Sequence, residues 1–212
     1  MGESPIVSAL IRDMKFLKTL WILANVWRFA AAYLLILRSD SGREDCNRWS
    51  SILRSRTQCR FLTFADLMLF FPEFRSVVLA RIRSRGHGLL YHILKLFAAP
   101  LPTLQLDLKH VGGGFYIQHG FCTIVAPRKI GKNCWVNQGV TIGYTNSEDC
   151  PTVGDDVTIG AGAKVLGACK VGNHVIIGAN CVVVKDVPDG CTVVGCPAFI
   201  VKRNGAKVHE SL

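Results

Sequence analysis

The chain has 212 residues, of which 50% are hydrophobic and 19% are charged, and its formal net charge is +10. This length allows one domain with a smaller segment before it, and residues 1–110 carry most of the excess charge, with 16 Lys and Arg against 8 Asp and Glu. The basic half has no zinc-finger spacing, RNA-binding signature or interleaved aromatic residues, which excludes nucleic acid as the expected partner.

The nine cysteines include no Cys-x-x-Cys pair, and no secretory signal with a clear cleavage site opens the chain. A disulfide framework is therefore not expected. The sequence predicts a cytoplasmic protein in a reducing compartment.

Residues 14–37 form the longest apolar stretch, which is close to the roughly 20 residues that a membrane-spanning helix needs. Arg28 interrupts it, at a cost of about 3 kcal/mol for insertion. One interpretation is a helix packed on its own domain or inside an oligomer. The other is a peripheral anchor at the inner face of a membrane, with basic residues meeting phosphates and aromatic residues at the headgroups. The basic residues are Lys15, Lys18, Arg28 and Arg38, and the aromatic residues are Trp21, Trp27 and Tyr33.

Two further helices are predicted after the polar connector of residues 38–60. Pro72 is typical of a helix start and Gly86 of a helix end, and Phe74, Val77 and Ile82 between them share one face. A second short run, residues 89–97, is stopped by prolines. Residues 1–103 are thus predicted to be an α-helical N-terminal segment.

The strongest signal is an aliphatic residue at every sixth position. Neither a helix, with a period near 3.6, nor a strand, with a period of 2, makes this pattern, whereas a solenoid with flat sides does. The fifth position of each unit is also small or β-branched, as a narrow interior requires. The six-residue positions are Ile124, Ile130, Val136 and Ile142, and after a gap Val153, Ile159, Val165, Val171, Ile177 and Val183.

These Ile-Gly-x-x-Val units resemble the hexapeptide-repeat acyltransferases. The resemblance implies a mainly β fold, a left-handed parallel β-helix of triangular section over residues 104–203, with a C-terminal tail at 204–212. It also implies a homotrimer or a dimer of trimers, in which the active site lies between neighbouring coils. The gap from Ile142 to Val153 holds five residues more than the repeat needs, so a loop is expected around residues 144–152.

The segment Ile117-Gln118-His119-Gly120 resembles the stretch of serine acetyltransferases that carries the catalytic histidine. The resemblance makes His119 the general base that activates an acceptor hydroxyl, with acetyl-CoA as the acyl donor. Asp107 resembles the carboxylate that orients this histidine. Three fewer residues separate the two here than in the serine enzymes.

The coenzyme A site is inferred from the same resemblance. Ala161, Gly178 and Ala179 resemble positions where the backbone meets the pantetheine arm. Lys185 and the pair Lys202 and Arg203 are placed for its phosphates. The alternative is that the glycine serves as a corner turn and the cations as solvated side chains.

The identity of the acceptor stays open, because three positions differ from those of serine acetyltransferases. Serine acetyltransferases carry Asp directly before the histidine and Arg-His-Pro in the loop, where this chain has Gln118 and Asp149-Cys150-Pro151. Gln118 is neutral and Asp149 would repel a carboxylate, so the charge pattern for L-serine is missing. Serine O-acetylation is one prediction, and O-acetylation of a sugar in capsule or exopolysaccharide synthesis is the other.

Two rival classes use the same fold. A zinc-dependent γ-type carbonic anhydrase needs three converging histidines, and His110, His119 and His174 lack its spacing, so no metal is expected. A non-catalytic scaffold is the third possibility, and the intact His119 argues against it.

Overall fold

The computed structural model describes residues 5–146 and 148–212, without the side chains of residues 5, 6 and 8–12. Residue 147 of the predicted loop lies outside these residues. The described N-terminal segment is helical, as predicted, and a short 3-10 helix at Val26–Phe29 separates its first two α-helices. The α-helices are α1 (Pro5–Asn25), α2 (Ala30–Leu37), α3 (Asp40–Arg54), α4 (Phe61–Phe70), α5 (Pro72–Ser84) and α6 (Gly88–Phe97).

Residues from 104 onwards form a parallel β-helix of short strands that turn in rotation through three sheets. The strands are β1 (Leu104–Leu106), β2 (Tyr116–Ile117), β3 (Thr123–Val125), β4 (Lys129–Ile130), β5 (Trp135–Val136), β6 (Thr141–Gly143), β7 (Thr152–Val153), β8 (Thr158–Ile159), β9 (Lys164–Leu166), β10 (Lys170–Val171), β11 (Ile176–Ile177), β12 (Val182–Val183), β13 (Cys191–Val194), β14 (Phe199–Arg203) and β15 (Ala206–Ser211).

The three sheets are the three faces of the coil. Face 1 has the order β1-β3-β6-β9-β12, face 2 has β10-β7-β4, and face 3 has β15-β14-β13-β11-β8-β5-β2. Its pairings are parallel up to β13, whereas β14 and β15 add antiparallel strands, so residues 204–212 contribute a strand to face 3. The predicted fold class, a left-handed parallel β-helix after a helical segment, is confirmed.

The interior is filled by the aliphatic positions of the repeat, with one exception. Ile130, Val136 and Ile142 are at most 1% exposed, and the fifth positions such as Cys134 are equally buried. Burial raises the pKa of the Cys134 thiol to about 11, so this cysteine acts as a small hydrophobic residue. The prediction for Ile124 is wrong: it is 39% exposed, because β3 turns Thr123 and Val125 inward instead.

The helical segment packs on the first coil through a buried ion pair. Arg81 on α5 donates from Nε to Oδ2 of Asp45 on α3 at 2.9 Å, and both side chains are at most 4% exposed. The same guanidinium donates to the backbone oxygens of Val111 and Gly112 at 2.6 and 2.5 Å. Asp45 also accepts from the Phe115 amide at 2.8 Å. We call these bonds of Arg81 and Asp45 the clasp, and they fix the position of α5 relative to β2.

The predicted helices at Pro72 and at residues 89–97 are confirmed as α5 and α6. The connector predicted over residues 38–60 is wrong, because α3 occupies most of it and buries Trp49 and Asp45 on its inner face. The apolar stretch 14–37 is α1, the 3-10 helix and α2. By length and composition alone, Asp13–Leu37 could cross a membrane, with a mean hydropathy of 1.7 over its most apolar window and 22% of that window buried.

Candidate functional site

His119 lies where face 3 turns into face 1, at a corner that departs from the repeat. Seven positions separate Ile117 from Ile124, but five separate their pairing partners Val136 and Thr141 in the coil above. This corner therefore carries two extra residues, and His119 is exposed within it. Its φ of 53° is in the left-handed region, as it is at other corners of the coil such as His174 and Asn180, so the added residues rather than the φ distinguish this corner.

Successive corners stack directly above His119. The Gly139 amide donates to the Phe121 oxygen at 2.8 Å, the Gly162 amide to the Gln138 oxygen at 2.9 Å, and the Asn180 amide to the Ala161 oxygen at 2.8 Å. We call this line of corners, residues 118–122, 137–140, 160–163 and 178–181, the His119 edge. Rungs are spaced by about 4.8 Å, so the fourth corner lies roughly 14 Å from the first.

The His119 edge brings together five of the predicted site residues. Gln118 directly precedes His119 and is half-buried, with its amide bonded to the Val136 oxygen at 2.9 Å. Ala161, Gly178 and Ala179 lie on the third and fourth corners, and Ala179 is exposed. Gly178 has a packing reason as well, because a Cβ there would lie 2.9 Å from Cγ1 of Val194.

Asp107, Asp149, Cys150 and Lys185 lie at a different edge, where face 1 turns into face 2. We call this the loop edge, because the connection from Gly143 to Thr152 protrudes there with the five extra residues that were predicted. One chain therefore holds these residues at the opposite end of face 1 from His119.

The side chains at the loop edge are engaged locally. Oδ1 of Asp107 accepts from the Lys109 amide at 3.1 Å, and among the described residues no hydrogen bond or ion pair joins Asp107 to His119. Oδ2 of Asp149 accepts from Nδ2 of Asn146 at 2.6 Å within the loop.

The predicted phosphate ligands are dispersed. Nζ of Lys185 donates to the Leu212 oxygen at 2.7 Å, beside a mainly apolar cavity of about 330 Å³ above face 1 that Pro197 and Ala198 also line. Lys202 and Arg203 lie on face 3 near Cys191, where β13 begins, which is the end of that face distant from the His119 edge. Arg203 pairs with Glu210 at 2.6 Å.

Glu73 is a candidate that sequence reasoning missed. It lies in the first turn of α5 and is half-buried. A Cβ on Gly120, the residue after His119, would lie 3.3 Å from Cγ of Glu73, so this side chain packs against the His119 corner. Burial and the charge of Glu73 both raise the pKa of Tyr116. Pro72 predicted the helix start, but nothing local in the sequence indicated where that helix docks.

The comparisons with known proteins agree with this architecture. The model of the family "Bacterial transferase hexapeptide (six repeats)" matches residues 150–185. The chain is 36% identical over 155 residues to a serine acetyltransferase of Synechococcus elongatus, covering 68% of this chain and 62% of that one. It is 46% identical over 106 residues to a serine acetyltransferase of Bacillus pumilus, covering 48% and 49%.

A crystal structure of Neisseria gonorrhoeae serine acetyltransferase in complex with serine matches with a TM-score of 0.62 at 27% identity, over 81% of this chain and 74% of that one. The chain thus spans between about half and three-fifths of the length of the curated relatives named above. It is a hexapeptide-repeat protein whose β-helix is similar, in sequence and in fold, to those of serine acetyltransferases.

Proposed function

We propose that this protein transfers the acetyl group of acetyl-CoA to the hydroxyl of a small acceptor. The observation that carries the proposal is the His119 edge, which begins at an exposed imidazole in an enlarged corner and continues through the small residues Ala161 and Ala179. Small side chains along an edge leave room for an extended thioester arm that ends at the imidazole.

His119 acts as general base and then as general acid. It removes the acceptor's hydroxyl proton while the hydroxyl oxygen attacks the thioester carbonyl carbon, and backbone N–H groups stabilise the oxyanion. When the carbon–sulfur bond breaks, the imidazolium returns its proton to the departing thiolate. A positioned base of this kind contributes about 10² to 10⁴ in rate.

The loop edge points to a site shared between copies. Asp107, Asp149 and Cys150 lie at the far end of face 1 from His119, so only a neighbouring chain presents such residues to this imidazole. In a cyclic homotrimer, the His119 edge of each chain would face the loop edge of one of its two neighbours. Asp107 would then orient the imidazole, and the loop residues would contact the acceptor.

L-serine is the first candidate acceptor because the similar proteins are serine acetyltransferases. A sugar hydroxyl is the second, favoured by neutral Gln118 beside His119 and by Asp149 in place of a cation in the loop. Glu73 adds a carboxylate near His119 that suits either an ammonium or a sugar hydroxyl.

Thiol release from acetyl-CoA tests the proposal. The purified full chain is assayed with L-serine, hexoses and sugar nucleotides, beside His119→Ala and, as a matched control on another corner of the coil, His174→Ala. We expect turnover with one acceptor, a loss of about 10² to 10⁴ in kcat for His119→Ala, and an unchanged rate for His174→Ala. Full activity of His119→Ala refutes the assignment, and no turnover with any acceptor favours the scaffold alternative.

A further inference from the structure

The N-terminal helices present a large apolar surface outside the transferase site. On α1, side chains on the outer half of the helix are 47–63% exposed, and on α6 Leu89, Ile93 and Leu96, spaced i, i+4, i+7, are 45–82% exposed. Monomeric proteins rarely leave contiguous apolar surface of this kind unless it binds something. The exposed α1 residues are Met14, Phe16, Leu17, Leu20, Trp21 and Leu23.

Two cavities meet at this surface, and their chemistries differ. One, of about 490 Å³, is almost wholly apolar and lies between α1 and Phe70, with Met14, Leu17 and Trp21 on its wall. The other, of about 480 Å³, lies between α1 and α4 and is lined by four cations, Lys15, Lys18, Arg54 and Arg56, with Asp66 as the only acid among the lining residues that the structure describes. Lys15 and Lys18 line both cavities.

The charge of the surface is mainly positive, although Asp13, directly before Met14 on α1, is exposed. Residues 14–38 contain no Asp or Glu, and the stretch adds Arg28, whose guanidinium lies 5.5 Å from the Trp27 ring and 5.4 Å from the Phe97 ring. Asp66 pairs with Lys18 at 2.7 Å and with Arg54 at 2.6 Å, so the cationic cavity keeps an excess of positive charge.

An apolar cavity that shares its lysines with a cationic cavity matches one ligand chemistry, an anionic headgroup attached to an apolar tail. We propose that α1 and the neighbouring end of α6 dock on an anionic phospholipid surface, with headgroup phosphates in the Lys15–Arg56 cavity and apolar side chains among the acyl chains. Trp21 and Trp27 then lie at the depth that tryptophan favours at membranes.

The docking is peripheral, because the second half of the apolar stretch belongs to the protein core. Phe29, Ala32 and Ile36 are at most 1% exposed, and a spanning helix would have to remove them from that core. A second copy is a poor occupant, because two such surfaces would oppose their cations. This surface is independent of the proposed acetyl transfer.

Co-sedimentation with vesicles tests the proposal on the full chain. Vesicles of phosphatidylglycerol and phosphatidylcholine in equal parts are compared with phosphatidylcholine alone, at low and high salt. The variants are Trp21→Glu, Lys15→Gln with Arg56→Gln, and Ile176→Glu, a matched control at an exposed aliphatic residue of the β-helix. Circular dichroism checks that each variant folds.

We expect the wild-type chain and Ile176→Glu to bind the anionic vesicles and to release them at high salt. Trp21→Glu should lower the partition by about tenfold or more, and each neutralised cation by about fivefold. Equal binding to both vesicle types, or none to either, overturns the proposal even before any variant is made. If the bound chain resists alkaline extraction, peripheral docking is overturned. If the chain does not bind vesicles but forms assemblies larger than a trimer, and Trp21→Glu abolishes them, the surface binds a second copy instead.

Discussion

Arg81→Met removes the guanidinium that joins the helical segment to the first coil. In the wild-type chain this group pairs with Asp45 at 2.9 Å and donates to the backbone oxygens of Val111 and Gly112. Methionine fills much of the same volume but donates nothing. Asp45 would then keep a single donor, the Phe115 amide at 2.8 Å, in a site where it is 2% exposed.

The loss of stability in Arg81→Met comes from the buried Asp45 carboxylate that remains without its partner. Breaking a buried ion pair by removing one partner typically lowers the free energy of unfolding by about 3–5 kcal/mol, because the remaining charge is uncompensated. For a chain of this size, about 2–4 °C in Tm accompanies each kcal/mol, so the melting point should fall by roughly 6–20 °C. The variant should also lose activity, because the clasp holds α5 and Glu73 against the His119 corner.

Chemical and thermal denaturation measure this loss, with Arg83→Met as the matched control on the same helix. Arg83 donates one hydrogen bond, to the Leu106 oxygen at 3.0 Å, and its removal should cost only about 1 kcal/mol. Adding Asp45→Asn to Arg81→Met should recover part of the loss, since the neutral amide leaves no buried charge. If Arg81→Met costs no more than Arg83→Met, the clasp does not stabilise the fold as described.

Two further predictions concern neighbouring groups. Glu73→Gln should lower kcat/KM by about 10- to 100-fold with an unchanged melting point. Gly120→Ala should also lower kcat/KM, because its Cβ would lie 2.8 Å from Leu104 and 3.3 Å from Glu73. A normal kcat/KM for both variants would show that Glu73 is not part of the site. Burial raises the pKa of Asp45 from 3.8 to about 6, so the carboxyl stays protonated to a higher pH in the folded state than in the unfolded state. The stability that this group contributes is therefore full below pH 3.8 and is lost as the pH rises to about 6. The wild-type minus Asp45→Asn difference in unfolding free energy should fall by about 3 kcal/mol across that window, and a rise would contradict the assignment.

The repeat region was largely predictable because each unit contacts only the units above and below it. A fixed spacing in the sequence then becomes a fixed stacking in space. This is why the inward positions from Ile130 to Val183 and the five-residue loop could be inferred from the spacing, whereas the stacking of Ala161 and Ala179 above His119 became visible only in the structure. The wrong position in the repeat, Ile124, follows the enlarged His119 corner. The two extra residues of that corner move the inward position to Val125, five rather than six residues before Ile130.

The sequence by itself determined the fold class and the residue expected to carry the chemistry, since a local period and a local motif are both written in consecutive residues. Only the tertiary structure decided that Glu73 packs beside Gly120, that Asp107 lies at another edge from His119, and that Arg81 clasps Asp45. These relations join residues from about 10 to nearly 50 positions apart, and no periodicity spans the helical segment and the coil. Their geometry is set when the helical segment docks on the first turn of the coil, because the apolar helix faces must be buried and the buried charges must be paired at the same time.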